Sequence, residues 1–133
     1  MFIVGVPAHR RSISPTSAHT TPEAVRAVLR RYSTWAGHRG VDVQDLSVHD
    51  GGNISNPDGA DGFDRTVAIL RSAAQHESFT VLLGGDNSVT YPGVVGLLGP
   101  DVSGAGLITF DAHHDLRDGW SNGSPVRQLM QAG

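Results

Sequence analysis

The sequence predicts an α/β protein whose sheet is mostly parallel and covered by helices on both faces. Three observations carry this. Short apolar runs recur at Phe2–Val6, Phe79–Leu83 and Ala105–Phe110, too brief for helices and nearly continuous, as in strands buried on both faces. Segments of helical period lie between the strands. Glycine, proline and small polar residues cluster at the ends of the runs, where such a sheet makes its turns.

Phe2 to Val6 opens the chain as a strand that Pro7 ends. Ala8 to Thr20 holds Arg10, Arg11, Ser12, Ser14, Pro15, Thr16, Ser17 and His19 with no period and reads as a polar loop. Thr21-Pro22-Glu23 marks a helix start: threonine as N-cap, proline at the first helical position, a carboxylate in the first turn. Val25, Val28, Leu29, Tyr32 and Trp35 extend it as one apolar stripe, closed by Gly37 and Gly40. Val41 to Val48 is a valine-rich strand, and His49 through Gly62, dense in glycine, aspartate and asparagine, is expected to be loop. A second helix starts near Asp61 or Asp64, buries Phe63, Val67, Leu70 and Ala74, and closes at Gln75 to Ser78. Phe79–Leu83 is a strand ending in Gly84-Gly85, and Val89 to Leu98 is expected to be helical in spite of Pro92, Gly93 and Gly96. Ala105–Phe110 is the fourth strand; Ser124-Pro125 then opens a last helix with Val126, Leu129 and Met130 inward. Four strands are few for a doubly covered sheet and none follows the last helix, so the ending reads as an interruption of the fold.

Composition excludes several classes. Ten Lys plus Arg against 13 Asp plus Glu leave a formal charge of −3, and the basic pairs at Arg10-Arg11 and Arg30-Arg31 are no nucleic-acid footprint. With no cysteine, disulfides, thiolate metal sites and cysteine nucleophiles are ruled out. No apolar run is long enough to span a bilayer, and the start at Met1 lacks the basic region of a signal peptide, so a cytoplasmic protein with no membrane or nucleic-acid partner is expected.

Asp111-Ala112-His113-His114-Asp115 follows directly on an apolar run, at the strand end where open α/β sheets bind ligands. If the chain stays extended past Phe110, the side chains of Asp111, His113 and Asp115 share a face. Two carboxylates and an imidazole there attract a divalent cation; oxygen and nitrogen donors without sulfur suit manganese, iron, cobalt or zinc, with manganese favoured by the carboxylates. Asp118, by contrast, reads as a turn or cap residue. Gly84-Gly85-Asp86-Asn87-Ser88 ends another strand: its glycines permit close backbone approach, and its polar residues either cap the next helix or face the same pocket. It is no phosphate loop, since neither Gly-Lys-Ser nor Gly-x-Gly-x-x-Gly is present after a strand.

With Gly84 to Ser88, Asp111 to Asp115 followed by Leu116-Arg117, and Asn122-Gly123-Ser124-Pro125, in this order over nearly the whole chain, the sequence resembles the ureohydrolase family of arginase, agmatinase, guanidinobutyrase and formimidoylglutamase. The resemblance implies an arginase-type three-layer α/β/α fold, here its N-terminal half, with further strands inserted between those that lead to Gly84 and Asp111. It implies a pair of Mn2+ ions held in part by Asn87, Asp111, His113 and Asp115, with Asn87 standing where the family has a histidine ligand. Catalytic roles fall on Asp111, His113, Asp115 and Asn122. Substrate contacts fall on Asn122, Ser124 and the loop arginines Arg10 and Arg11, for which solvated surface is the equal alternative. The family's later Asp-x-Asp ligand segment has no counterpart after Asp118.

Asn122 stands where arginase and agmatinase carry histidine and formimidoylglutamases a small polar residue. The implied activity is therefore metal-dependent hydrolysis of N-formimidoyl-L-glutamate to L-glutamate and formamide, water adding to the formimidoyl carbon and the amine leaving. An agmatinase or guanidinobutyrase releasing urea, or a catalytically degenerate homologue, are the alternatives. The partner is a small amidine or guanidino compound, and the full-length protein is expected to form a homo-oligomer.

Overall fold

A computed structural model describes residues 1–133. Its elements are β1 (Phe2–Val6), α1 (Thr21–Leu29), β2 (Trp35–Ala36), β3 (Val41–Asp42), β4 (His49–Asn53), α2 (Gly62–Ala74), β5 (Thr80–Gly84), α3 (Thr90–Leu98) and α4 (Pro125–Ala132). β1 lies at the centre of a three-stranded sheet of order β4-β1-β5, and both pairings are parallel. β2 and β3 form a separate two-residue antiparallel pair.

Alternation along β1 builds the layers. Phe2, Val4, Val6 and, beyond the strand, Ala8 are buried on one face with Leu70 and Ala73 of α2 and Val89 just before α3. The opposite face is covered by α1: a side chain at Gly5 would collide with the ring of Pro22. Helices thus cover both faces of the sheet. The glycines of α3, which weaken it as an isolated helix, are where it approaches its neighbours: a Cβ at Gly96 would lie 2.8 Å from Leu70 Cβ, and one at Gly93 3.1 Å from Leu82. Removing bulk there lets α3 lie against both α2 and β5.

Several expectations are corrected. His49–Asn53 is a strand, although it is exposed throughout and contains two glycines. Its ladder with β1 (Phe2 opposite His49, Gly5 opposite Asn53) and a clamp from α1 hold it. Arg26 grips Asp50 bidentately through Nε (2.8 Å) and Nη2 (2.9 Å), and also donates to Asn53 Oδ1 at 2.6 Å and Gly52 O at 2.9 Å. Asn53 in turn donates to Glu23 at 2.7 Å. Val41–Val48 is strand only at Val41–Asp42; a 3-10 turn follows at Val43–Asp45 because the Asp42 carboxylate accepts from the Gln44 backbone N–H.

α1 begins one residue early, with Thr20 at the cap, and stops at Leu29; Tyr32 and Trp35 of the expected stripe lie beyond it and are exposed, and Val28 and Leu29 within it are exposed as well. Ala73 rather than Ala74 is buried in α2, and Met130 of α4 is 71% exposed because Leu129 takes the inward position.

The largest correction concerns Ala105–Phe110, which forms no strand. None of residues 106–112 makes a backbone–backbone hydrogen bond, Ile108 is 84% exposed and Phe110 fully so. Strand geometry needs a ladder partner. This segment does not reach the free edge of β5 and instead borders an apolar cleft of about 600 Å³ against Leu98, Val102 and Leu129.

Candidate functional site

Because β1, β4 and β5 are parallel, their following loops emerge at one end of the sheet. There Gly85 N–H donates to Val6 O (2.9 Å) and Asp86 N–H to Ala8 O (2.8 Å), bringing two strand ends into backbone contact. A side chain at Gly85 would run into the Ala8 carbonyl. The carboxylate of Asp86, 6% exposed, accepts from Ser12 Oγ at 2.9 Å, from Ser88 N–H at 3.0 Å and from the Ser88 hydroxyl. It thereby caps the turn at Asn87–Val89 and fastens the loop after β1.

Asn87 then points across to the second motif: its Nδ2 donates to Asp115 Oδ2 at 2.6 Å, while its Oδ1 accepts from Thr90 Oγ1 at 2.6 Å. Asp111 turns back on itself instead of continuing extended. Its Oδ1 accepts from the His113 backbone N–H (2.8 Å) and lies 3.2 Å from His113 Nδ1. The backbone N–H of His113, helped by its imidazole, holds the exposed Asp111 carboxyl below the ordinary 3.8. Asp115 has φ 52°, a left-handed conformation, and its carbonyl accepts from Arg127 N–H at 3.2 Å. The shared extended face expected for Asp111, His113 and Asp115 is therefore replaced by two pairs, Asp111 with His113 and Asp115 with Asn87.

Both pairs line one open cleft of about 660 Å³, together with Ile13, Ser14, Arg117, Asn122 and Gly123. Their donors are oxygen and nitrogen, suited in kind to a divalent ion such as Mn2+. In the present arrangement no group of three His, Asp or Glu side chains converges. The set fits a metal in chemistry and in location but is partial, and the Asn87 oxygen is engaged by Thr90.

The expected substrate contacts divide. Asn122 lines the cleft, but its Oδ1 accepts from Ile13 N–H at 3.2 Å and its own N–H donates to Arg11 O at 3.0 Å. Ser124 is fully buried, and its hydroxyl lies 2.9 Å from that of Ser121, closing the 121–124 turn. Arg11 stacks 3.9 Å over the Trp120 ring, outside the cleft lining, and Trp120 meets Phe63 edge-on. Arg10 is exposed, and only its backbone N–H is used, on Asp58. The cation that does line the cleft is Arg117, whose guanidinium has no carboxylate partner. Its place directly after Asp115-Leu116 is the signal for it in the sequence. No helix of the structure is long and apolar enough to cross a membrane.

A parallel α/β sheet with a carboxylate-rich cleft beyond its strand ends defines the general class. The arginase family model matches residues 1–133, and the chain belongs to that family. It is 30% identical over 139 residues to a formimidoylglutamase of Halalkalibacterium halodurans, spanning 98% of this chain and 43% of that protein. With a formimidoylglutamase of Halobacterium salinarum the identity is 35% over 138 residues, spanning 98% and 44%. Among solved structures, Trypanosoma cruzi formiminoglutamase with Mn2+ superposes with a TM-score of 0.82 at 25% identity, over 98% of this chain and 47% of that one. The chain thus spans less than half the length of the relatives it matches.

Proposed function

We propose that these residues are the N-terminal portion of a single ureohydrolase domain, and that the whole protein hydrolyses a non-peptide C–N bond in a formimidoyl or guanidino compound. N-formimidoyl-L-glutamate, cleaved by water to L-glutamate and formamide, is the substrate this reading favours. The observation that carries it is one cleft lined by Asp111, His113, Asp115, Asn87 and an unpaired Arg117, in a chain similar to formimidoylglutamases over nearly all its length.

Asp111, His113, Asp115 and Asn87 would hold part of a pair of Mn2+ ions, the rest of the ligand set lying outside these residues. Bound metal supplies Lewis acidity that makes water nucleophilic near neutral pH. Arg117 presents a planar donor fork that suits a substrate carboxylate. Two carboxylate groups on formimidoylglutamate give that cation a target which agmatine, a cation itself, lacks. This reading includes a cytoplasmic, homo-oligomeric protein.

Full-length protein, assayed against formimidoylglutamate, agmatine, guanidinobutyrate and arginine with its metal content measured, tests the reading. Expected are preferred turnover of formimidoylglutamate and about two manganese per chain. Preference for agmatine would replace the substrate choice; absence of both metal and turnover would make the protein a degenerate homologue.

A further inference from the structure

We propose that Asn122 is a positioning residue: it holds the loop that follows β1 so that Ile13 and Ser14 form the specificity wall of the cleft. Asn122 sits in the third motif, 109 residues from Ile13, yet its side-chain Oδ1 accepts from Ile13 N–H at 3.2 Å, while its backbone N–H, which any residue there would keep, donates to Arg11 O at 3.0 Å. These two bonds fasten residues 11–13 to the 121–124 turn. Ile13 and Ser14 line the same cleft as Asn87 and Asp115, and Gly123 beside Asn122 leaves room for Ile13, whose Cδ1 would lie 3.3 Å from a Cβ there.

The rest of the loop is held by two carboxylates. Asp58 accepts from His9 N–H (3.0 Å) and Arg10 N–H (3.3 Å), and Asp86 from Ser12 Oγ (2.9 Å). Asn122 is thus the tie nearest the cleft, and the acceptor a substrate or proton would need is already in use. A loop held at Asp58 and Asp86 but released at Ile13 keeps its path and loses its wall. Substrate fit then suffers more than the chemical step.

The kinetic arm rests on the proposed hydrolase; the structural arm does not. Hydrogen exchange in full-length protein reads the Ile13 amide directly. Asn122→Ala is expected to speed exchange across residues 11–14 about tenfold, and Asn122→Asp, which keeps the acceptor, to preserve protection. If Asn122→Ala does not fold, Asn122→Ser, too short to reach Ile13, takes its place. With substrate, the shortened variant should raise KM about tenfold with kcat within about twofold and the pH profile unmoved; the aspartate variant serves the exchange arm alone, because its added charge faces an anionic substrate. Unchanged exchange in the shortened variant overturns the proposal, as does a loss confined to kcat. Loss and rescue of protection in a protein that turns over none of the substrates would uphold the tie and sink the hydrolase.

Discussion

Asn87 and Asp115, 28 residues apart, are joined by a 2.6 Å hydrogen bond from the amide Nδ2 to the carboxylate. It links the end of β5 to the segment that follows the unpaired stretch 106–112, and it is charge-assisted and partly buried. Replacing Asn87 with alanine should destabilise the metal-free full-length protein by about 1–2 kcal/mol at neutral pH, since the Asp115 carboxylate loses its donor. Denaturant melts at pH 7 measure this, and a loss under about 0.3 kcal/mol would mean that water serves Asp115 equally well.

Arg26 makes the stability of β4 depend on pH. Its hydrogen bonds and charge hold the Asp50 carboxyl below the ordinary 3.8. A carboxylate with a depressed folded value contributes stability above its unfolded value and loses it as pH falls through the folded one. Arg26→Ala should therefore cost about 1 kcal/mol at neutral pH, discounted because the Asp50 side chain is 44% exposed. The difference from the parent should shrink as pH falls from 3.8 through the lower folded value, leaving the part due to the Asn53 and Gly52 hydrogen bonds. Parallel melts of parent and variant from pH 7 to acid check the sign.

Gly85→Ala should be among the most damaging single changes. The added methyl meets the Ala8 carbonyl, which is backbone and already accepts from Asp86 N–H. A loss of about 2–4 kcal/mol is expected, enough to lower expression. Thermal unfolding of the variant provides the value.

Arg117→Ala should raise KM for formimidoylglutamate roughly tenfold or more while leaving kcat nearly unchanged, as fits a cation that binds without reacting. Arg117→Lys should recover only part of the loss, because an ammonium lacks the bidentate fork. Steady-state kinetics on the full-length protein decide it; equal losses for agmatine would show that the arginine orders the cleft instead of reading a carboxylate.

Much of the fold could be read from residue pattern because burial imposes it. β1, β5 and α2 announce themselves through apolar runs and a periodic stripe, α1 and α4 through the prolines at their starts, and Leu70 lies at the centre of the core as its spacing requires. β4 was hidden because His49-Asp50-Gly51-Gly52-Asn53 carries no apolar signal; its strand character comes from the β1 ladder and the Arg26 clamp, both long-range. Ala105–Phe110 shows the converse, a strong local signal with no ladder to realise it. At the site, Asp111, His113, Asp115, Asn87 and Asn122 do share a cleft, but without a strand leading to Asp111; the Asn87–Asp115 and Asn122–Ile13 hydrogen bonds tie its parts together. Side-chain direction was not legible: Arg11 went to Trp120, Ser124 into the interior, and Arg117 supplied the cation.

The left-handed backbone of Asp115 has a consequence for redesign. At φ 52° a glycine would be accommodated with less strain, by about 1 kcal/mol. That relief is offset by the charge-assisted bond to Asn87 that glycine would forfeit, so the carboxylate holds its place against a backbone that favours glycine. Local conformational preference and retained chemistry pull this position in opposite directions.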